Sequence, residues 1–147
     1  MKITFMGTSH GVPSAERHCS STLIQTNGAA YIIDAGAPIT DTVLRSGAVF
    51  DDVRGIFTTH CHGDHINGIF HFIDLSNWYW KNTNYDVYLT SQAVINAIHA
   101  VLGAVSPGAK FPHDRLRLHV ATPDTVFEDE NIKLSYIPTK HINEYHL

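Results

Sequence analysis

Two cysteines among 147 residues, only ten Lys and Arg together, and no apolar run near the ~18 residues of a membrane-crossing helix set the first limits. Cys19 and Cys61 lie in unlike local contexts and make no disulfide framework, which points to a reducing compartment and, by default, the cytoplasm. Ten basic residues against 14 acidic ones leave a net charge of −4, so the chain lacks a broad basic surface for nucleic acid. The opening Met1-Lys2-Ile3-Thr4-Phe5 reaches Gly7 without the apolar core and cleavage site of an export signal. Charged residues are few (16%) and hydrophobic ones many (44%), which excludes disorder. One soluble globular domain over residues 1–147 is expected, with no membrane partner. What is abundant is histidine, eleven in all.

Lys2 to Met6 alternates like a strand, and a Gly, Pro and Ser-containing loop follows from Gly7 to Cys19. Ser20 to Thr26 and Ala29 to Ile33 read as strands joined at Asn27-Gly28, the pair favoured where both turn residues need positive φ. A short helix is expected over Thr40 to Ser46, ending at Gly47, and a buried strand over Arg54 to Thr59. After His65 the apolar residues fall near a 3.6-residue period, predicting a helix to about Lys81. Tyr85 to Leu89 reads as a strand, and Ser91 to Leu102 as a helix capped by Ser91 and stopped by Gly103. Ser106 to His113 reads as a loop, and the last strands as Arg115 to Val120, Thr125 to Glu128 and Ile132 to Ile137. Hairpins first and strand–helix alternation later give an α+β class.

The chemistry concentrates in Thr58-Thr59-His60-Cys61-His62-Gly63-Asp64-His65, between a predicted strand and a predicted helix. Residues two apart in extended chain share a side, so His60 and His62 can offer nitrogens to one metal. A tight turn at Gly63 then aims Asp64 and His65 elsewhere, which suggests two adjacent metal positions. Three imidazoles and a carboxylate suit zinc, one or two ions, with manganese or iron as alternatives. His71, His99, His113 and His119 have no partner at ligand spacing and are expected to be solvent-facing or hydrogen-bonded. Cys61 shows no base or oxyanion site that would make it a nucleophile. Trp78, Tyr79 and Trp80 read as core plus helix edge.

This run resembles the His-x-His-x-Asp-His signature of the metallo-β-lactamase superfamily of metal-dependent hydrolases. The resemblance implies an αββα sandwich, of which this chain would supply the N-terminal half and the start of the second. It also implies a second-shell role for Asp34, after Tyr31-Ile32-Ile33, in steadying the metal loop, and a third ligand for the first metal at His141. Gly7-Thr8-Ser9, Gly11-Val12-Pro13, Arg17 and Ser20-Ser21 resemble the opening of the ribonuclease Z and cyclic-phosphodiesterase-like branch, where such a loop could present His10 or Arg17 to a phosphate. The implied reaction is hydrolysis of a small-molecule or nucleotide phosphodiester by metal-bound hydroxide, which Asp64 would orient as the catalytic carboxylate. RNA is a less favoured substrate at this net charge; thioester, lactone or sulfate-ester hydrolysis, or a non-catalytic metal-binding fragment, are the alternatives.

The family pattern continues into a bridging Asp and a last His, whereas no Asp follows Asp129 here. The expectation is a domain incomplete at its C-terminus, completed by a missing half or by a second copy in a homo-oligomer. Its sheet should then expose an apolar face.

Overall fold

The computed structural model describes residues 1–106 and 111–140. The chain opens with β1 (Lys2–Gly7), β2 (Ser21–Thr26) and β3 (Ala29–Ala35), continues through α1 (Ile39–Arg45) to β4 (Val53–Phe57), then α2 (Gly63–Trp78), β5 (Tyr85–Leu89), α3 (Gln92–Val105) and β6 (Leu116–Val120), and ends with β7 (Val126–Glu128) and β8 (Lys133–Ser135). β1 to β6 form one sheet in sequence order, antiparallel from β1 to β3 and parallel from β3 to β6; β7 and β8 form a separate two-stranded sheet. The α+β expectation holds.

The antiparallel start follows from Asn27-Gly28, whose φ values of 49° and 77° make the tight two-residue connection. Each parallel step instead needs a crossover, and α1, α2 and α3 supply one each. The helices share one face of the sheet. Ile39 and Val43 of α1, Ile66, Ile69, Phe72 and Ile73 of α2, and Ile95 and Ile98 of α3 bury against Leu23, Ile32, Ile56, Val87 and Leu89. Trp80 closes one end of this layer by stacking on Phe50 at 3.5 Å, while Trp78 and Tyr79 stay exposed, as expected for core plus helix edge.

The other sheet face carries Tyr31, Ile33, Phe57 and Tyr88, and the β7–β8 hairpin lies over it. Phe127 meets Phe57 and Tyr31 edge-on at 5.0 and 6.1 Å, and the Tyr31 hydroxyl donates to Asp129. Asp129 also accepts the backbone N–H groups of Asn131 and Ile132, which holds the hairpin turn. The expected apolar exposure is present on the β1 side of this face, where Ile3 is 53% and Phe5 72% exposed. On the far side Asp86 receives two hydrogen bonds from Arg117, at 2.8 and 2.7 Å, and lies 2.6 Å from His119 Nε2. His119 therefore takes the hydrogen-bonded role; His71 does likewise at Thr40, and exposed His99 and His113 flank Phe111.

Three local expectations need correction. β3 does not end at Ile33 but runs through Asp34 to Ala35, because Asp34 accommodates a φ of 58° within the strand. α3 passes through Gly103 to Val105: nothing lies within 4 Å of that position, and a helical glycine weakens a helix without stopping it. Ser91 is the N-cap residue of α3 but makes no side-chain capping hydrogen bond.

Candidate metal centre

The histidine-rich loop leaves the carboxyl end of β4, beside the carboxyl end of β3 that carries Asp34. Ligand sites of open parallel sheets gather at this end of the strands. Thr58 pins the start of the loop to β5, its N–H and hydroxyl both donating to the Tyr88 carbonyl at 3.0 Å. Cys61 Sγ lies 3.3 Å from Thr90 Oγ1, a second tie between the loop and the end of β5.

Asp34 is 4% exposed and organises the loop from below. It accepts the Thr59 N–H at 2.8 Å and the Thr59 hydroxyl at 3.1 Å. Its Oδ2 also stands 2.7 Å from His65 Nδ1, off the ring N–H axis, so this contact is an ion-pair approach rather than an aligned hydrogen bond. Asp34 raises the His65 pKa; burial opposes the rise, and the charges of Asp34 and Asp64 reinforce it. α2 begins at Gly63, with His62 as its N-cap residue, so Asp64 and His65 lie in the first helical turn. The expected tight turn is thus the start of a helix. Gly63 needs no positive φ there, and the Asp64 carboxylate faces the positive end of the α2 dipole.

Four side chains meet in two pairs. His60 Nε2 lies 3.0 Å from His62 Nδ1, and His65 Nε2 lies 3.2 Å from Asp64 Oδ2. The His60 and His65 rings are 4.1 Å apart, so the pairs are neighbours. A tetrahedral zinc with bonds of ~2.1 Å has ligand-to-ligand edges of about 3.4 Å, and both separations come close to that edge. The second pair states the case in charge terms. His65 stands between two carboxylates, Asp34 at 2.7 Å from Nδ1 and Asp64 at 3.2 Å from Nε2, so positive charge is favoured here, as a proton on the ring or as a cation held between His65 and Asp64. His60 with His62, and His65 with Asp64, could each hold a divalent ion; among the described residues no three His, Cys, Asp or Glu side chains converge on one ion. The expected ligand His141 lies outside the described residues.

The N-terminal loop borders this centre as expected. Ser9 N–H donates to the His18 carbonyl at 2.9 Å and Ser9 Oγ to the Val12 carbonyl at 2.6 Å, which folds the loop back on itself. A Cβ on Gly11 would stand 3.7 Å from Asp64 Oδ2, so the loop backbone reaches the carboxylate. His10 and Arg17 are exposed on that loop, with His10 Nδ1 accepting the Val12 N–H at 3.2 Å. Two residues not anticipated as contributors complete the arrangement: Thr59, whose place directly before His60 was the available signal, and Gly36, where an added Cβ would fall 2.2 Å from the Asp64 carbonyl oxygen.

The sequence profile of the family described as anti-Pycsar protein Apyc1 matches residues 1–146. The chain belongs to that family. Apyc1-family membership agrees with similarity to proteins named Ribonuclease Z: one from a Picosynechococcus species is 31% identical over 147 residues, covering 96% of this chain and 44% of the relative. Another, from Halobacterium salinarum, is 41% identical over 69 residues, covering 47% of this chain and 22% of the relative. The chain thus spans less than half the length of these curated relatives. Among solved structures, the short form of human tRNase Z superposes with a TM-score of 0.73 at 20% identity, covering 90% of this chain and 59% of that one. The metallo-β-lactamase fold protein YhfI from Bacillus subtilis gives 0.70 at 16% identity, covering 95% and 53%. This Apyc1-family chain therefore has the metallo-β-lactamase fold, is similar in sequence to proteins named Ribonuclease Z, and matches a little over half of those two structures. No helix among its described residues is long and apolar enough to cross a membrane.

Proposed function

We propose that this chain carries the ligand loop of a metal-dependent phosphodiesterase acting on small nucleotide phosphodiesters. The observation that supports this reading most is the meeting of His60 with His62 and of His65 with Asp64 beside a loop bearing His10 and Arg17. His60 and His62 would hold one ion, with His141 as a further ligand, and His65 and Asp64 the other; zinc is the first choice and manganese or iron the alternatives. A second copy of the chain, or a further length of it, would complete the second position.

When bound, such ions acidify a water toward neutral pH and place positive charge against the phosphoryl oxygens. The chain's own residues supply the rest. Asp64, whose Oδ2 lies beside Gly11 of the N-terminal loop, would orient the attacking water. His10 and Arg17 pair with the non-bridging phosphate oxygens, Arg17 through its fork of N–H donors. Asp34 and Thr59 keep the loop from shifting as charge develops. A net charge of −4 favours a small substrate over a long RNA.

The competing reading is a metal-binding module without turnover. Turnover of bis(p-nitrophenyl) phosphate, cyclic nucleotides and an RNA oligomer, with zinc or manganese added, separates the two. Metal-dependent turnover that His62→Ala abolishes is the expected result. Metal binding without turnover of any of these substrates would establish the module, and turnover unchanged in His62→Ala would refute the ligand assignment.

A further inference from the structure

We propose that Thr59 is a positioning residue that fixes which nitrogen of His60 carries the proton, by relaying the negative charge of Asp34. The inference rests on the reading of His60 as a metal ligand and adds how that ligand is prepared. Thr59 Oγ1 stands at the same distance, 3.1 Å, from both Asp34 oxygens and from His60 Nδ1. A hydroxyl has one hydrogen to give and two lone pairs to receive with. Donation to the carboxylate is the charge-assisted choice, whereas donation to His60 would leave the hydroxyl lone pairs facing two carboxylate oxygens. Thr59 therefore gives its hydrogen to Asp34 and accepts from His60. The His60 proton sits on Nδ1, and Nε2 keeps its lone pair on the side where His62 Nδ1 lies 3.0 Å away.

One buried carboxylate thereby serves both halves of the centre. Asp34 meets His65 Nδ1 directly and His60 Nδ1 through one hydroxyl, so each imidazole presents Nε2 toward its neighbour in the pair. The Thr59 side chain is also separable from the loop's backbone anchor, because the Thr59 N–H makes its own 2.8 Å bond to Asp34 Oδ1. Thr59 is exposed, so replacing its hydroxyl by a methyl leaves no buried cavity.

The test compares wild type, Thr59→Val and Thr59→Ser. Nitrogen NMR of the imidazoles in chelator-treated, metal-free protein reports the proton position directly. His60 should show a protonated Nδ1 in wild type and Thr59→Ser, and lose that single form in Thr59→Val. Zinc titration should give about tenfold or more weaker binding at the His60–His62 position in Thr59→Val, restored in Thr59→Ser, the size usual for losing a partner of a ligand histidine. An unchanged His60 form in Thr59→Val, or a zinc affinity equal to wild type, overturns the proposal. A wild type that binds no zinc or manganese overturns the metal reading instead, and the nitrogen spectrum still decides the proton position.

Discussion

Gly36→Ala probes whether the centre depends on close backbone approach. A Cβ there would sit 2.2 Å from the Asp64 carbonyl oxygen, 2.5 Å from Cys19 Cβ and 3.0 Å from the Cys19 carbonyl carbon. Close-packed interiors leave no slack for it, so the start of α2 or the end of the N-terminal loop must retreat by roughly 1 Å. Overpacking of this kind costs about 1–3 kcal/mol. At about 2–4 °C per kcal/mol for a domain of this size, the melting temperature should fall by roughly 2–12 °C. The functional loss should exceed the stability loss, since the residue pushed away is the one bearing a ligand carboxylate. Zinc affinity at the proposed His65–Asp64 position should drop at least tenfold, as a ligand set held ~0.5 Å from its working geometry is already impaired. Gly103→Ala is the matched control: it adds the same methyl group within α3, where nothing lies within 4 Å, and should raise stability by about 0.5–1 kcal/mol. Differential scanning calorimetry and zinc titration of both variants provide the readout. A Gly36→Ala protein with wild-type stability and wild-type zinc affinity would refute the argument that the two loops are held together at this point.

Three further outcomes are expected. Burial raises the Asp86 carboxyl, but hydrogen bonds from Arg117 and His119 outweigh it and leave its pKa below the ordinary value. A lowered folded pKa stabilises above the unfolded value of about 4 and loses that contribution as pH falls through the folded value. The deficit of Asp86→Asn in urea unfolding, about 1–2 kcal/mol at neutral pH, should therefore shrink below pH 4; a deficit constant to pH 2 would contradict it. Phe127→Ala should cost about 2–3 kcal/mol, short of the ~3–5 of a fully buried ring, and amide exchange should show the β7–β8 hairpin loosened before the main sheet. Saturating zinc should raise the melting temperature and a chelator reverse it, the gain falling in His65→Ala, where one ligand of the second position is gone.

The legible part of the molecule was the part written in local pattern. Asn27-Gly28 named its hairpin because positive φ at two successive residues admits few side chains, and the apolar spacing after Ile66 named the buried stripe of α2. His60, His62, Asp64 and His65 could be paired from spacing alone. What spacing could not convey was contact between distant segments. The family resemblance, not the spacing, put Asp34 beside the metal loop, and nothing in the run around it signals a φ of 58° inside a strand or which loop residues its carboxylate meets. Gly36 carries no sign in the sequence of its need for space, which arises only when Cys19 and Asp64 arrive from either side. Asp86, Arg117 and His119 found one another because parallel pairing sets Asp86 opposite Arg117, a register that no hydrophobic period encodes.

β1 ends the main sheet, and it carries Ile3 and Phe5 on the face left uncovered by the hairpin. An edge strand of this kind is sticky in two directions at once: sideways, through its backbone, it invites another strand, and face-on, through its two side chains, it invites another layer. Lys2 is the one charge within the strand that opposes such contact. Self-association should rise with concentration and be relieved by a charge at Phe5, whatever the occupancy of the metal centre at the far end of the strands.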